Sequence, residues 1–303
     1  MRIGIIGAGA LGSVFGAYLY TSGQGVVLFD IDKPTISAIN EDGLLVERPD
    51  CEDLRVHPEA STDPSTLGTV DVAFVFVKSF DTMDAMRDAE PMYDQETVVV
   101  TLQNGLKNME TIAEFVPEDN VVGGATTVGS TTEGPGHVLH TGWGKTVLGG
   151  NDSAAAEQIG GLIKEASLET KIIDDPKTHI WKKQFVSVGI KPVAALTELV
   201  DGPLAEHDVT RSAMRKLIEE AVEVARAKGI EIRSEDPVEE AFRICEINYE
   251  TKSSMLEDVE LSQRTEIDHI NGAIVEYGEE VGVETPNNRL VTELVKGKEH
   301  SYD

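Results

Sequence analysis

Residues 2–30 constrain this chain more than any other stretch. They begin Arg2-Ile-Gly-Ile-Ile-Gly-Ala-Gly-Ala-Leu-Gly12 and close on Val26-Val-Leu-Phe-Asp30. The apolar run Ile3 to Ile6 suits a buried parallel strand, and it breaks at Gly7, Gly9 and Gly12 with the spacing G-x-G-x-x-G. Gly7 permits a tight turn, Gly9 leaves bare backbone for a pyrophosphate, and Gly12 lets the next helix pack close to the sheet. A helix is expected from Ala10 to about Thr21, with its N-terminal amides and positive dipole end aimed at phosphates. Gly7, Ala8, Gly9, Ala10, Leu11 and Gly12 are therefore the candidate dinucleotide cradle. The next strand ends at Asp30, eighteen positions after Gly12, where a carboxylate can accept hydrogen bonds from ribose hydroxyls. A glycine-rich turn with no ligand is the bland alternative. The strand, turn, helix, strand context argues against it.

At 303 residues the chain has room for two domains with ample cores. No stretch approaches the roughly eighteen uninterrupted apolar residues of a membrane span. Met1 runs almost directly into the first strand, which leaves no room for a signal peptide and predicts a cytoplasmic protein. Cys51 and Cys245 are isolated, suggesting neither a disulfide framework nor a metal cluster. The unusual quantity is charge: 54 acidic against 26 basic residues, a net of -28, spread along the whole chain. Such a surface argues against nucleic acid and anionic membranes as partners. It is the acidic, halophilic kind, whose self-repulsion is relieved where salt shortens the Debye length.

Further along, a short helix is predicted from Lys33 to Asn40, and residues 41–69 read as polar and turn-rich, with weak alternation in Gly43-Leu-Leu-Val-Glu47. Val70-Asp-Val-Ala-Phe-Val-Phe-Val77 is the next buried strand, ending at Lys78, and Thr97-Val-Val-Val-Thr-Leu102 is another, stopping at Gln103-Asn104-Gly105. Strands alternating with helices predict a parallel sheet that binds its ligand beyond the carboxyl ends of the strands. Lys78 and Asn104 fall at such ends, although an Asn before Gly is also an ordinary turn or helix cap. From Val121 to Gly149 short β segments with glycines predict hairpins extending that sheet. His137 and His140 lack partners at metal-ligand spacing. After Asp174-Asp-Pro176 the pattern turns wholly helical, dividing the chain into residues 1–174 and 175–303.

The first helix of the second part is mostly apolar, yet Lys183, Ser187 and Lys191 interrupt it at i, i+4 and i+8, on one face. A solvent-facing stripe is the alternative, but so apolar a helix has little solvent face, and an interdomain cleft suits Lys183 better. Later helices are expected over 204–228, 236–249, 255–282 and 287–296, with Ser254-Met-Leu-Glu257 as a capping box.

The glycine loop, Leu102-Gln-Asn-Gly105, Trp181-Lys-Lys183, Ser253-Ser-Met-Leu256 and Arg264-Thr-Glu-Ile-Asp268 with Ile270-Asn-Gly272 together resemble the ketopantoate reductase (2-dehydropantoate 2-reductase) family along the whole chain. The resemblance implies an α/β Rossmann-type N-terminal domain followed by an all-α C-terminal domain, with the site in the cleft between them. It implies reduction of a small 2-keto acid, ketopantoate, by hydride from a nicotinamide cofactor, in pantothenate and coenzyme A biosynthesis. A homodimer is compatible with it. The family's catalytic lysine falls on Lys183 and its essential glutamate on Glu266, which is also assigned to the cofactor side. Its strand-end asparagine falls on Asn104, shared by cofactor and substrate, and its substrate-binding serine on Ser254. Lys183 as an ammonium can stabilise and then protonate the developing oxyanion. Ser254 and its neighbouring amides suit the substrate carboxylate, and Glu266 can accept from the terminal hydroxyl.

Ser187 and Lys191 replace the family's usual asparagines, Asp201 stands where Asn-Gly is common, and Thr251 replaces another asparagine. Ser187, Lys191 and Asp201 remain substrate-side candidates, and a different 2-keto acid is the alternative substrate. A non-catalytic dinucleotide sensor is a further alternative, although a sensor has no need of Lys183 and Glu266 together. Many relatives carry a basic residue after the second strand that meets the 2′-phosphate of NADPH. This chain has Phe29-Asp30-Ile31-Asp32, which favours NADH over NADPH, with Lys33 and Lys78 as the counterweight. From the charge, the melting temperature is expected to rise as potassium chloride increases from about 0.1 M toward about 1 M, as screening shortens. Thermal melts across that series check it, and a steady fall contradicts it.

Overall fold

The computed structural model describes residues 1–49, 51–232 and 236–302. They divide into two compact units, one of Met1–Gln103 and Asn108–Pro176, the other of Asn104–Lys107 and Lys177–Asp303.

The first unit runs β1 (Arg2–Ile6), α1 (Ala10–Thr21), β2 (Gly25–Phe29), α2 (Lys33–Asp42), β3 (Leu44–Glu47), β4 (Leu54–Val56), β5 (Glu59–Ser61) and β6 (Val72–Val75). It continues with α3 (Thr82–Asp88), β7 (Val98–Thr101), α4 (Asn108–Ile112), β8 (Val121–Thr126), β9 (Gly129–Gly134), β10 (His137–Gly142), β11 (Thr146–Gly150), α5 (Ser153–Glu165) and β12 (Thr170–Ile172). Eight strands form the main sheet in the order β12-β11-β8-β7-β6-β1-β2-β5. Every neighbouring pair is parallel except β8 with β11. β1 lies between β2 and β6, so the chain leaves β1 to one side and later returns on the other. The carboxyl end of β1 is thus a topological switch point, where such sheets bind ligands. The strands that line it are buried on both faces, as a sheet covered by helices requires.

The polar, turn-rich residues 41–69 supply β3, β4 and β5, with β3 on the weak alternation at residues 43–47. One expectation needs correction here. The hairpin of β9 and β10 does not extend the main sheet; it joins a second, four-stranded sheet in the order β4-β3-β10-β9. The cause is polarity. β8 is buried at all six positions and fits a sheet covered on both faces, whereas β9 is polar and half-exposed and β10 buries only alternate residues, Val138 and His140. Strands of that kind suit a sheet with one wet face.

The second unit is helical: α6 (Pro176–Thr197), α7 (Asp201–Glu206), α8 (Asp208–Ala227), α9 (Pro237–Ile247), α10 (Ser254–Glu260), α11 (Ile267–Val281) and α12 (Pro286–Glu299). Its core gathers Trp181, Phe185, Ile218, Phe242, Leu256 and Ile274. α6 and α8 approach closely at Gly189, where an added Cβ would sit 2.7 Å from Ile218 Cδ1. Two predicted long helices are broken. His207 adopts an extended conformation between α7 and α8. Between α10 and α11 the chain turns through Ser262, at φ 52°. Thr265 fastens the exit of this turn by donating its N–H and hydroxyl to Glu299 Oε1 at 2.8 and 2.6 Å. The break sets Glu266 at the N-cap of α11 instead of inside a helix. The capping box also shifts by one: Ser253 is the N-cap of α10 and accepts from Leu256 N–H, while Ser254 is the first helical residue. Among the described residues no helix is long and apolar enough to cross a membrane.

Candidate active site

In the first unit each glycine of the loop has a distinct steric reason. Gly7 has φ +99°, and a Cβ there would lie 2.9 Å from Val77 N. At Gly12 a Cβ would lie 2.0 Å from the Gly7 carbonyl oxygen, so a side chain would drive α1 away from the turn. Gly9 is different: its Cβ position meets nothing within 4 Å. Gly9 is the N-cap of α1, and the amides of Ala10, Leu11 and Gly12 in the first helical turn have no preceding helical carbonyls to bond. Ala8 donates its N–H to Asp30 Oδ2 at 2.6 Å, and Asp32 donates its N–H to Asp30 Oδ1 at 2.8 Å. The Asp30 carboxylate is therefore clamped against the glycine loop, with lone pairs on both oxygens to spare. Asp32 has another duty, as N-cap of α2 accepting from Thr35 N–H. Lys78 is half-buried just beyond β6, two residues after Phe76, whose N–H bonds the Ile6 carbonyl, and Lys33 is exposed.

In the second unit Asn104, Glu266, Lys183, Lys191 and Asp201 are linked by a hydrogen bond or by their charges. Asn104 does not cap the helix after it, since α4 begins at Asn108; it donates from Nδ2 to Glu266 Oε2 at 3.2 Å. Glu266 is almost wholly buried. Lys183 feels both Glu266 and Lys191. Its pKa falls from 10.5 to about 8: desolvation lowers it most, the Lys191 charge also lowers it, and Glu266 opposes both. Ser187, between the two lysines on the same face of α6, is buried, and Lys191 is half-buried. Asp201, the first residue of α7, is 6% exposed, and its Oδ1 has no hydrogen-bond partner among the described residues. Burial raises its pKa from 3.8 to about 6 against the pull of Lys191. The Asp201 N–H is held by the Thr251 carbonyl at 3.0 Å, so Thr251 supports α7 through its backbone. Ser254 is half-buried at the start of α10.

Some neighbours of this cluster were not singled out by sequence. Cys245, fully buried on α9, has its pKa pushed up to about 12 by burial and then by Asp201, which leaves an inert thiol. His269 lies one turn past Glu266, its pKa lowered by burial while Glu266 and Asp268 act to raise it. Glu220 is a buried carboxylate on α8, and the signal for it was present: an acid inside the run Leu217, Ile218, Ala221, Val222. Among the described residues no group of three His, Cys, Asp or Glu could hold a metal ion.

Comparison with known proteins assigns the family. The family model described as Ketopantoate reductase PanE/ApbA matches residues 3–153, and its C-terminal counterpart matches residues 175–299. The chain belongs to the ketopantoate reductase family. The resemblance read from the motifs is thus borne out, as is an α/β domain followed by a helical one. The 2-dehydropantoate 2-reductase of Halobacterium salinarum is 34% identical over 299 residues, 98% of each chain. The crystal structure of a PanE/ApbA family ketopantoate reductase from Ralstonia eutropha JMP134 superposes with a TM-score of 0.91 at 32% identity, covering 100% of this chain and 99% of that one. A ternary structure of D-mandelate dehydrogenase with NADH and anilino(oxo)acetate gives a TM-score of 0.92 at 28% identity, with 100% and 99% covered.

Asp201 gives this ketopantoate reductase family member a titratable group inside its candidate site. A carboxyl whose pKa rises on folding favours the fold fully below its unfolded value of 3.8, and that contribution is lost as the pH climbs through about 6. Asp201→Asn removes the cost of ionisation. Without ligand the variant is expected to melt about 2–6 °C above the parent near pH 7.5, with the difference fading toward pH 4. Melting curves at the two pH values check it, and a variant that melts lower near pH 7.5 contradicts it.

Proposed function

We propose that this chain is an NAD(P)H-dependent 2-dehydropantoate 2-reductase that converts ketopantoate to pantoate, with Lys183 as proton donor and NADH as the preferred cofactor. The observation that carries the reading is the Lys183 ammonium, its pKa brought down to about 8, within electrostatic reach of a buried Glu266 that Asn104 holds. A proton donor with a pKa near the working pH is what ketone reduction needs.

The glycine loop fits a dinucleotide. The open space over Gly9, the free first-turn amides of α1 and the clamped Asp30 carboxylate are complementary to a pyrophosphate and an adjacent ribose. Residues 7–12 and Asp30 would hold that group, with Lys78, Asn104 and Glu266 assigned to its nicotinamide side or its phosphates. When bound, the reduced nicotinamide supplies the hydride that adds to the keto carbon.

The protein's own residues do the rest. Lys183 stabilises the charge that grows on the keto oxygen and then gives that oxygen a proton, leaving a neutral amine to be recharged from solvent. Lys191, one like charge away on α6, helps that release by disfavouring the protonated form. Glu266 opposes Lys191 and accepts a hydrogen bond from the substrate's terminal hydroxyl. Asn104, tied to Glu266, orients the reacting groups. Ser254 binds the substrate carboxylate, and Ser187, Lys191 and Asp201 line the substrate and set which 2-keto acid fits best.

The NADH preference rests on Asp30. Its carboxylate is anchored by two backbone N–H groups, so it has no freedom to swing away from a 2′-phosphate and repels one, while its spare lone pairs accept from ribose hydroxyls. Turnover efficiency is expected to be higher with NADH than with NADPH at matched salt, and Asp30→Ala should narrow the gap. A strong NADPH preference in the parent overturns this part.

The whole reading is tested by following oxidation of the reduced cofactor with a panel of 2-keto acids. Ketopantoate should be turned over best, and kcat/KM should fall as the pH rises through about 8, where Lys183 loses its proton. Lys183→Ala should lower turnover by about two to four orders of magnitude with dinucleotide binding nearly intact. Faster turnover of an aryl 2-keto acid, or parent-like turnover by Lys183→Ala, would sink it.

A further inference from the structure

Pro192 lies inside α6. It has no N–H, so the carbonyl of Val188, four residues earlier, lacks the donor an ordinary helix provides. Val188 is fully buried, and a carbonyl left unpaired there carries a penalty. The replacement donor comes from another helix. Asn271, fully buried on α11, donates from Nδ2 to the Val188 carbonyl at 3.1 Å.

The direction of that amide is fixed from a distance. The Glu220 carboxylate accepts from the N–H and Nδ2 of Asn287 at 2.9 and 2.6 Å, and from the N–H and Nδ2 of Asn288 at 2.9 and 2.7 Å. A carboxylate only accepts, so Asn288 must turn its amino group toward it, where the same nitrogen also reaches the Leu217 carbonyl at 3.0 Å. Asn288 Oδ1 then faces Asn271 and accepts from its Nδ2 at 3.0 Å. Flipping the Asn271 amide would set its oxygen against two acceptors, Asn288 Oδ1 and the Val188 carbonyl. One directed chain of hydrogen bonds therefore runs from α8, through the start of α12 and through α11, into α6.

Both helices at the end of this chain carry candidate catalytic groups. Glu266 caps α11 five residues before Asn271, and Lys183 lies on α6 five residues before Val188. We propose that Asn271 is a positioning residue: its amide pins α11 to the proline-orphaned carbonyl of α6 and so holds Glu266 and Lys183 at their working separation. The inference rests on the roles given to those two residues above.

The test combines melting with kinetics on Asn271→Ala, Pro192→Ala and their double variant. Asn271→Ala is expected to melt about 3–8 °C lower, because two buried acceptors lose their donor. Pro192→Ala returns an N–H to the Val188 carbonyl and should recover about half of that loss in the double variant. In ketopantoate reduction, Asn271→Ala should lower kcat about 10–100-fold with KM for the dinucleotide changed by less than about twofold, and that loss should vanish in a Lys183→Ala background. If the alanine variant does not fold, Asn271→Ser, with a shorter side chain and one donor, takes its place. An Asn271 variant that melts lower yet keeps the parent kcat overturns the inference, as do melting losses that simply add when Pro192→Ala is combined. A parent inactive on every 2-keto acid sinks the functional reading and this role together, whereas an active parent unaffected by the Asn271 change sinks this role alone.

Discussion

An ammonium removed from water is the constraint around which the helical unit is built. Lys183 is carried by a helix whose other residues are largely apolar, and nothing in that helix can offset its charge. The offset arrives from elsewhere: Glu266 from the cap of α11, itself gripped by Asn104. Lys191, eight residues along the same face, pushes the other way. The balance leaves a lysine able to give up its proton near neutrality, a state that a solvated lysine does not reach. Breaking the chain between α10 and α11 is what delivers Glu266. A continuous helix would have spent its backbone N–H and its position on helical bonding.

The glycine loop solves a different problem, that of bringing backbone close to backbone. Gly12 stands so near the Gly7 carbonyl that no side chain fits, and Gly7 needs a positive φ to turn the chain beside Val77. Gly9 is under neither constraint in the protein itself. Bare backbone where the fold does not demand it is the feature on which the proposed pyrophosphate site rests. Asp30 ties into the same loop: its contact with Ala8 joins the acidic end of β2 to the turn after β1, so the two are held as one unit.

The buried Glu220 follows the same logic of satisfaction by distant partners. Among the described residues no cation enters the hydrogen-bond set of the Glu220 carboxylate; four N–H donors at the start of α12 satisfy its oxygens. Asp201 differs, with a buried oxygen left without a donor among the described residues and a pKa moved toward neutrality. A group of that kind is stabilised little by the fold and is available to a ligand.

What the sequence by itself determined is whatever depends on neighbours along the chain. The alternation of apolar runs with helices, the loop spacing from Gly7 to Gly12, the carboxylate at the end of β2 and the i, i+4, i+8 stripe of Lys183, Ser187 and Lys191 are all local, and each recurs in the structure where the pattern put it. The motifs were also specific enough to indicate the family. What only the tertiary structure decided is non-local. The hairpin of β9 and β10 joins its second sheet through β3, some ninety residues earlier. The break before Glu266 depends on Thr265 finding Glu299, 34 positions away. The pairing of Asn104 with Glu266 spans 162 positions. Pro192 announced an orphaned carbonyl in the sequence, but that Asn271 would answer it, aimed by Glu220 and Asn288, required three other helices to pack. Sequence patterns report periodicity; hydrogen-bond partners across a core are chosen by packing, and no local pattern encodes which distant amide will arrive.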